Sequence, residues 1–230
     1  MAIQCAVGDI HLNVTTSVLP ATTSPMSITA WVNASTWATT VSMVGVYGPS
    51  TPAAAVQLGA RAGNLVAWTW GGGILVSTNA LITLQTNVWY HVAYTYNGTT
   101  HSLYVNGVLI NTSTAAVISA QLNQIYINGY PTGLANETNT HKVDSYAFYN
   151  RVLDANEILT MASCKGLSHG IYNGILAAYE FDEGADGSTV TSVVDLSGNS
   201  ANLTSSGAGT TPITYSYTGA VASTNLRQVQ

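Results

Sequence analysis

Charge is what this sequence has least of. Its 230 residues include only 5 Lys+Arg and 10 Asp+Glu. Five cations (Arg61, Lys142, Arg151, Lys165 and Arg227) cannot line a phosphate track, so no nucleic-acid partner is expected. The same count rules out a polybasic membrane patch, and no apolar run reaches the 18 or so residues that span a bilayer. Cysteine is nearly absent too. Cys5 and Cys164 could pair, but two distant cysteines are expected to be free and buried. The first residues, Met1 to Asp9, have neither a basic n-region nor an apolar h-region, so no classical signal peptide is expected. Disorder is excluded by the 47% of apolar residues against a net charge of only −5.

What is present is β-strand material. Short runs of period-2 alternation recur between Gly, Asn, Pro and Ser clusters, at residues 27–32, 41–47, 54–58, 64–70, 89–96, 102–105 and 124–127. Their Val, Ile, Thr, Tyr and Trp content predicts an all-β sandwich rather than βαβ units. Asn97-Gly98 and Asn106-Gly107 each separate two such runs, a strong hairpin signal. One helix is expected over residues 154–163, with Asp154 as N-cap and Glu157 at capping-box spacing. Beyond residue 204 the chain is rich in Ser, Thr, Gly and Ala. It reads as an arm over residues 205–230 that holds at most a strand near residues 213–217.

Four stretches resemble the laminin-G-like jelly-roll family of the concanavalin A-like lectin/glucanase fold. They are Met26-Ser-Ile-Thr-Ala-Trp-Val32; Trp89-Tyr-His-Val-Ala-Tyr-Thr-Tyr-Asn-Gly98 with Leu103-Tyr-Val-Asn-Gly107; Val143-Asp-Ser-Tyr-Ala-Phe-Tyr-Asn-Arg-Val-Leu-Asp-Ala-Asn-Glu-Ile158; and Leu176-Ala-Ala-Tyr-Glu-Phe-Asp-Glu-Gly184 with Val194-Asp-Leu-Ser-Gly-Asn199. The resemblance implies an antiparallel jelly-roll sandwich over residues 1–204 with one short helix. In family members the fourth stretch usually opens the domain, whereas here it follows the helix. A strand at about residues 175–183 is therefore expected to complete the sandwich in permuted order; a truncated second copy is the alternative, although too few residues remain for one.

The fold hosts glucanases, whose signature puts three acids on one strand face. This chain offers Glu180-Phe181-Asp182-Glu183-Gly184 instead. In a strand Glu180 and Asp182 share a face while Glu183 points away and Gly184 stands where the third acid should be, so the three-acid signature is incomplete. No G-x-S-x-G occurs, Gly71-Gly72-Gly73 lacks a following Lys-Ser/Thr, and the five histidines show no zinc spacing. The resemblance also implies a structural calcium, for which Asp144, Asp182, Glu183 and Asp195 match acidic family positions. Ser145, standing where the family pattern has Glu, counts against it, and turn-capping or ion pairing would also account for Asp144 and Asp195. Sugar binding would use an exposed aromatic plane with Asn, Asp or Gly donors nearby. Trp68, Trp70 and Tyr130 are the candidate platforms, with Trp37 a further one.

Three functions compete. A non-catalytic subunit of a larger assembly is the first expectation, such as a viral (phage) capsid decoration, cement or fibre protein at a virion or extracellular surface. It rests on one charge per roughly 660 Å² of expected surface and on 13 Tyr and 5 Trp, a composition suited to protein partners in an oligomer or particle. A glycan-binding lectin-like module is the second, and a glycoside hydrolase the third.

Overall fold

The computed structural model describes residues 1–5, 11–49, 55–69, 73–117, 119–129, 140–164, 170–207 and 211–217. Two antiparallel eight-stranded sheets form a sandwich. The first runs in the order β10 (Val108–Ser113), β9 (His101–Val105), β8 (Trp89–Tyr96), β3 (Met26–Ala34), β12 (His141–Tyr149), β1 (Ala2–Cys5) and β16 (Thr214–Ser216). Its eighth strand, β13 (Ile175–Tyr179), pairs with the second half of β12. The second sheet runs β14 (Ser192–Val193), β15 (Leu203–Ser206), β2 (His11–Thr15), β11 (Gln124–Ile127), β4 (Val41–Tyr47), β5 (Ala55–Arg61), β6 (Asn64–Thr69) and β7 (Gly73–Ser77).

Alternation along each strand sends one set of side chains between the sheets. Ile28, Val32 and Tyr94 from the first sheet meet Val46, Leu58 and Ile125 from the second in one continuous core. Trp37 belongs to this core at 4% exposure, with its indole N–H donating to Gln85 O, so it offers no open plane to a sugar. Cys5 is buried, Cys164 is half-buried, and neither is in a disulfide.

The two Asn-Gly turns fall where the sequence places them. Asn106 and Gly107 both take positive φ, 50° and 82°, the backbone that a two-residue turn between β9 and β10 requires. Helix α1 (Ala155–Ser163) starts at Asp154, whose carboxylate accepts from Asn156 N and Glu157 N. Glu157 reaches back to Asp154 N and holds a bidentate ion pair with Arg151 at 2.6 and 2.8 Å. Ile158 and Met161 bury against Ala93, Ala147 and Tyr149, so the helix covers the outer face of the first sheet. Among the described residues no helix covers the outer face of the second.

Sheet pairing continues past residue 204. That boundary falls inside β15, which pairs with β2, while β16 pairs with β1. The stretch that resembles the usual start of the family domain contributes β13 and the loop leading to β14, both built into the sandwich.

Candidate outer face of the second sheet

The register across the second sheet lines up one row of side chains over six strands: Asn13, Tyr126, Gly45, Gln57, Trp68 and Ile74. A neighbouring row runs Thr15, Gln124, Tyr47 and Ala55. The residues between them in sequence, such as Ile125, Val46 and Val56, point into the core, so both rows lie on the outer face.

Small residues surround Gln57. Gly45 faces it across one strand, and Ala55 and Gly59 flank it along its own. Neither glycine has room for a side chain. A Cβ on Gly45 would stand 2.8 Å from Tyr47 Cε2 and the Tyr47 hydroxyl, and one on Gly59 would stand 2.1 Å from Val41 O. The Tyr47 ring therefore lies across Gly45. Its hydroxyl donates to Gly129 O at 2.9 Å and its edge meets Tyr126 with centroids 5.2 Å apart. Tyr126 in turn packs against His11 at 4.8 Å, and burial pushes its phenol pKa up, keeping the hydroxyl neutral.

Three polar atoms on this face lack partners. Both Nε2 and Oε1 of Gln57, a residue with no exposed surface, make no hydrogen bond, and neither does the buried Oε1 of Gln124. Each such atom costs about 1–3 kcal/mol in desolvation, and native structures hold few of them. The ends of the face are open. Ile74 is half-exposed, and at the other end Ser206 Oγ lies 2.9 Å from His11 Nε2 and accepts from the Asn13 amide.

Of the expected sugar platforms, Trp68 sits in this row, outside the core clusters. It is only 5% exposed, however, so it is a wall of the face rather than an open plane. Trp70 and Tyr130 lie outside the described residues.

The four acids considered for calcium do not assemble. Among the described residues no group of three or more His, Cys, Asp or Glu side chains is placed to hold a metal. Asp144 is buried on the other sheet, opposite Trp31 in register. Asp182 lies 2.5 Å from the Met1 amino group, and Glu183 Oε1 accepts from Val194 N. The Asp195 carboxylate accepts four hydrogen bonds: from the backbone N–H of Ala178, Ser197 and Ala201, and from the Ser197 hydroxyl. Those donors point their positive ends where a cation would sit, so Asp195 ties β13 to the loop before β15 instead. The strand alternation expected to pair Glu180 with Asp182 also fails, because β13 ends at Tyr179 and Phe181 takes φ 55°.

A family model described as "Concanavalin A-like lectin/glucanases superfamily" matches residues 8–159, most of the sandwich. The chain belongs to this superfamily. A comparison with curated proteins found no match. Solved structures of the superfamily's jelly-roll kind agree on the fold. A proposed carbohydrate-binding protein from Bacteroides ovatus superposes with TM-score 0.63 at 17% identity, covering 96% of this chain and 61% of its own. The native heptameric SAP-like pentraxin of Limulus polyphemus gives 0.60 at 14% identity, covering 94% and 96%. The binding domain of Paraclostridial Mosquitocidal Protein 1 gives 0.51 at 18%, covering 71% and 41%. The chain thus spans less than two thirds of the first and third of these.

Gln57 and Gln124 were not singled out in the sequence. Alternation within Ala55–Arg61 puts Gln57 on one face with Gly59, but nothing in the sequence says that its amide goes unpartnered.

Proposed function

We propose that this protein is a non-catalytic glycan-binding module that takes its ligand on the outer face of the second sheet. The observation that carries this reading is the pair of glutamines whose amide atoms lack partners on a face walled by Tyr47, Tyr126 and Trp68. Sugars bind through such a combination: hydroxyls complete polar groups, while the apolar faces of the ring pack on aromatic side chains. The absence of a paired carboxylate strand at Glu180 and Asp182 supports binding without hydrolysis. A glycan array on the full chain tests the reading. Retention of at least one glycan class, lost in Gln57→Leu, supports it, and no retention of any glycan sinks it.

The assembly reading rests on a different observation. The chain has only fifteen charged side chains, Asp144 and Asp195 among them buried, against 9000 Å² of surface, and Val108, Leu109 and Leu159 are exposed where the β9–β10 turn meets α1. Such a surface suits burial against protein neighbours, as in a capsid decoration, cement or fibre subunit on a virion exterior. Sedimentation of the purified chain tests it: a strict monomer at all concentrations that binds no particle speaks against it. Both readings place the protein at an extracellular or virion surface.

A further inference from the structure

We infer that Asn173 is a site of spontaneous covalent change, an asparaginyl–glycine bond that the fold leaves free to rearrange to isoaspartate. This holds whether or not the second sheet takes a sugar.

Four Asn-Gly pairs occur: Asn97-Gly98, Asn106-Gly107, Asn128-Gly129 and Asn173-Gly174. Glycine in the second place leaves its amide nitrogen open to the preceding side chain, because no Cβ shields it. The chemistry needs water alone. The glycine nitrogen attacks Cγ of the asparagine and forms an N–C bond; the bond from Cγ to the side-chain nitrogen breaks, and ammonia leaves with the proton that the glycine nitrogen gave up. Water then opens the resulting succinimide at either carbonyl, leaving aspartate or isoaspartate. An unfolded chain lets all four pairs react alike, so the fold decides which does.

Three pairs are held. Asn106 is buried, and its Oδ1 accepts from His91 N at 2.9 Å. Asn128 is buried too, and the attacking nitrogen of Gly129 already donates to Ser42 O at 3.0 Å. Asn97 is exposed, but its Oδ1 accepts from Thr99 N, the Thr99 hydroxyl and Thr100 N at 3.0, 3.0 and 2.8 Å, which fixes the side chain. Asn173 differs on each count. It is exposed, and among the described residues neither its side-chain amide nor the Gly174 N–H has a hydrogen-bond partner. The two are the middle residues of a turn closed by Ile175 N donating to Tyr172 O, with Gly174 at φ 76°. Nucleophile and electrophile are thus adjacent and unengaged.

The same turn is the entry to β13. Arg151 Nε donates to Asn173 O at 2.7 Å, and Asn150 N to Gly174 O at 2.9 Å, so two consecutive carbonyls are fixed to the two residues that follow β12. Gly174 sits close against them: a Cβ there would stand 2.7 Å from Asn150 Oδ1. Isoaspartate runs the main chain through the side-chain methylene, adding one atom to a turn closed at Ile175 and pinned at both carbonyls. The longer turn cannot keep all three bonds, whereas aspartate leaves the main chain as it was.

The experiment incubates the full chain at mildly alkaline pH, in buffer and in concentrated urea, and follows each Asn-Gly pair by peptide mass spectrometry. Labelling by isoaspartyl methyltransferase reports isoaspartate. In buffer, conversion at Asn173 should run about tenfold ahead of Asn97, Asn106 and Asn128, which must first open locally. In urea the four rates should converge to within about threefold. Asn173→Gln should abolish the isoaspartate formed in buffer. Chain carrying isoaspartate should melt below the parent while Asn173→Asp melts with it, which separates the longer main chain from the added charge. Conversion in buffer at any held pair as fast as at Asn173 would overturn the assignment, as would none at Asn173 in buffer when urea gives it. A tenfold lead that persists in urea would trace the preference to local sequence rather than the fold and overturn it too. Isoaspartate at Asn173 with an unchanged Tm would overturn the consequence drawn for the turn.

Discussion

Replacing Asp195 with alanine removes the acceptor of four hydrogen bonds at once. Ser197 is half-exposed, so its N–H and hydroxyl can turn to water. Ala178 and Ala201 cannot: both are buried, at 0% and 1% exposure, and their N–H groups point at the lost carboxylate. Each stranded buried donor costs about 1–3 kcal/mol, giving about 2–6 kcal/mol for Asp195→Ala. Against a total stability on the order of 5–15 kcal/mol, that is a large fraction. Urea unfolding followed by tryptophan fluorescence should show the midpoint falling at unchanged slope. Asp195→Asn should fall between the two, since it keeps one oxygen acceptor but sets an amide N–H₂ against a facing donor. A loss below about 1 kcal/mol in Asp195→Ala would refute the reasoning, because it would mean that those two N–H groups find water after all.

Three further outcomes follow from other parts of the fold. The His101 imidazole is held below its ordinary pKa of 6.5 by burial, with the hydrogen bond to Ala115 O opposing. The unfolded chain therefore takes up this proton first, and stability present above pH 6.5 is lost as pH falls below it. A pH series of Tm should show this loss blunted in His101→Gln, and an identical profile in the variant would exclude the assignment. Gly184→Ala would set a Cβ 2.0 Å from the Tyr215 ring, so it should destabilise the chain; Tyr215→Ala should rescue much of that loss, and strict additivity of the two changes would contradict the contact. EDTA should leave Tm unchanged, because the Asp195 oxygens are taken by N–H and O–H donors; a drop of several degrees would point to a bound cation.

The local signals in the sequence carried real information. Asn106-Gly107 has the chemistry of its turn, Asp154 and Glu157 form the expected box, and the runs at 41–47, 89–96 and 124–127 match β4, β8 and β11. What local chemistry could not indicate was pairing at a distance. β1 gives little alternation and β2 alternates over only five residues, yet each is fixed by partners nearly the whole chain away. A strand after the triple glycine also went unread, because Gly73 begins β7. The candidate site was only half legible. Trp68 and Trp70 share a face by alternation, but whether that face is core or exterior depends on the second sheet's partner. The significance of Gln57 lies in what fails to reach it, and no sequence pattern encodes that.

The pairing of β2 with β15 also governs how the chain folds. His11 and Asn13 meet Ser206 across 195 and 193 residues of sequence. At about 5–20 residues per second, a ribosome needs about 10–40 s to deliver the partner after the first strand has emerged. Until then the edges of β1 and β2 have only part of their ladder, and such edges recruit other chains. Contacts of this range also place the protein among slow folders even in the test tube. Cooler, slower expression should therefore help less than added chaperone, because slower synthesis lengthens the wait. The strands made first are the last to be closed in.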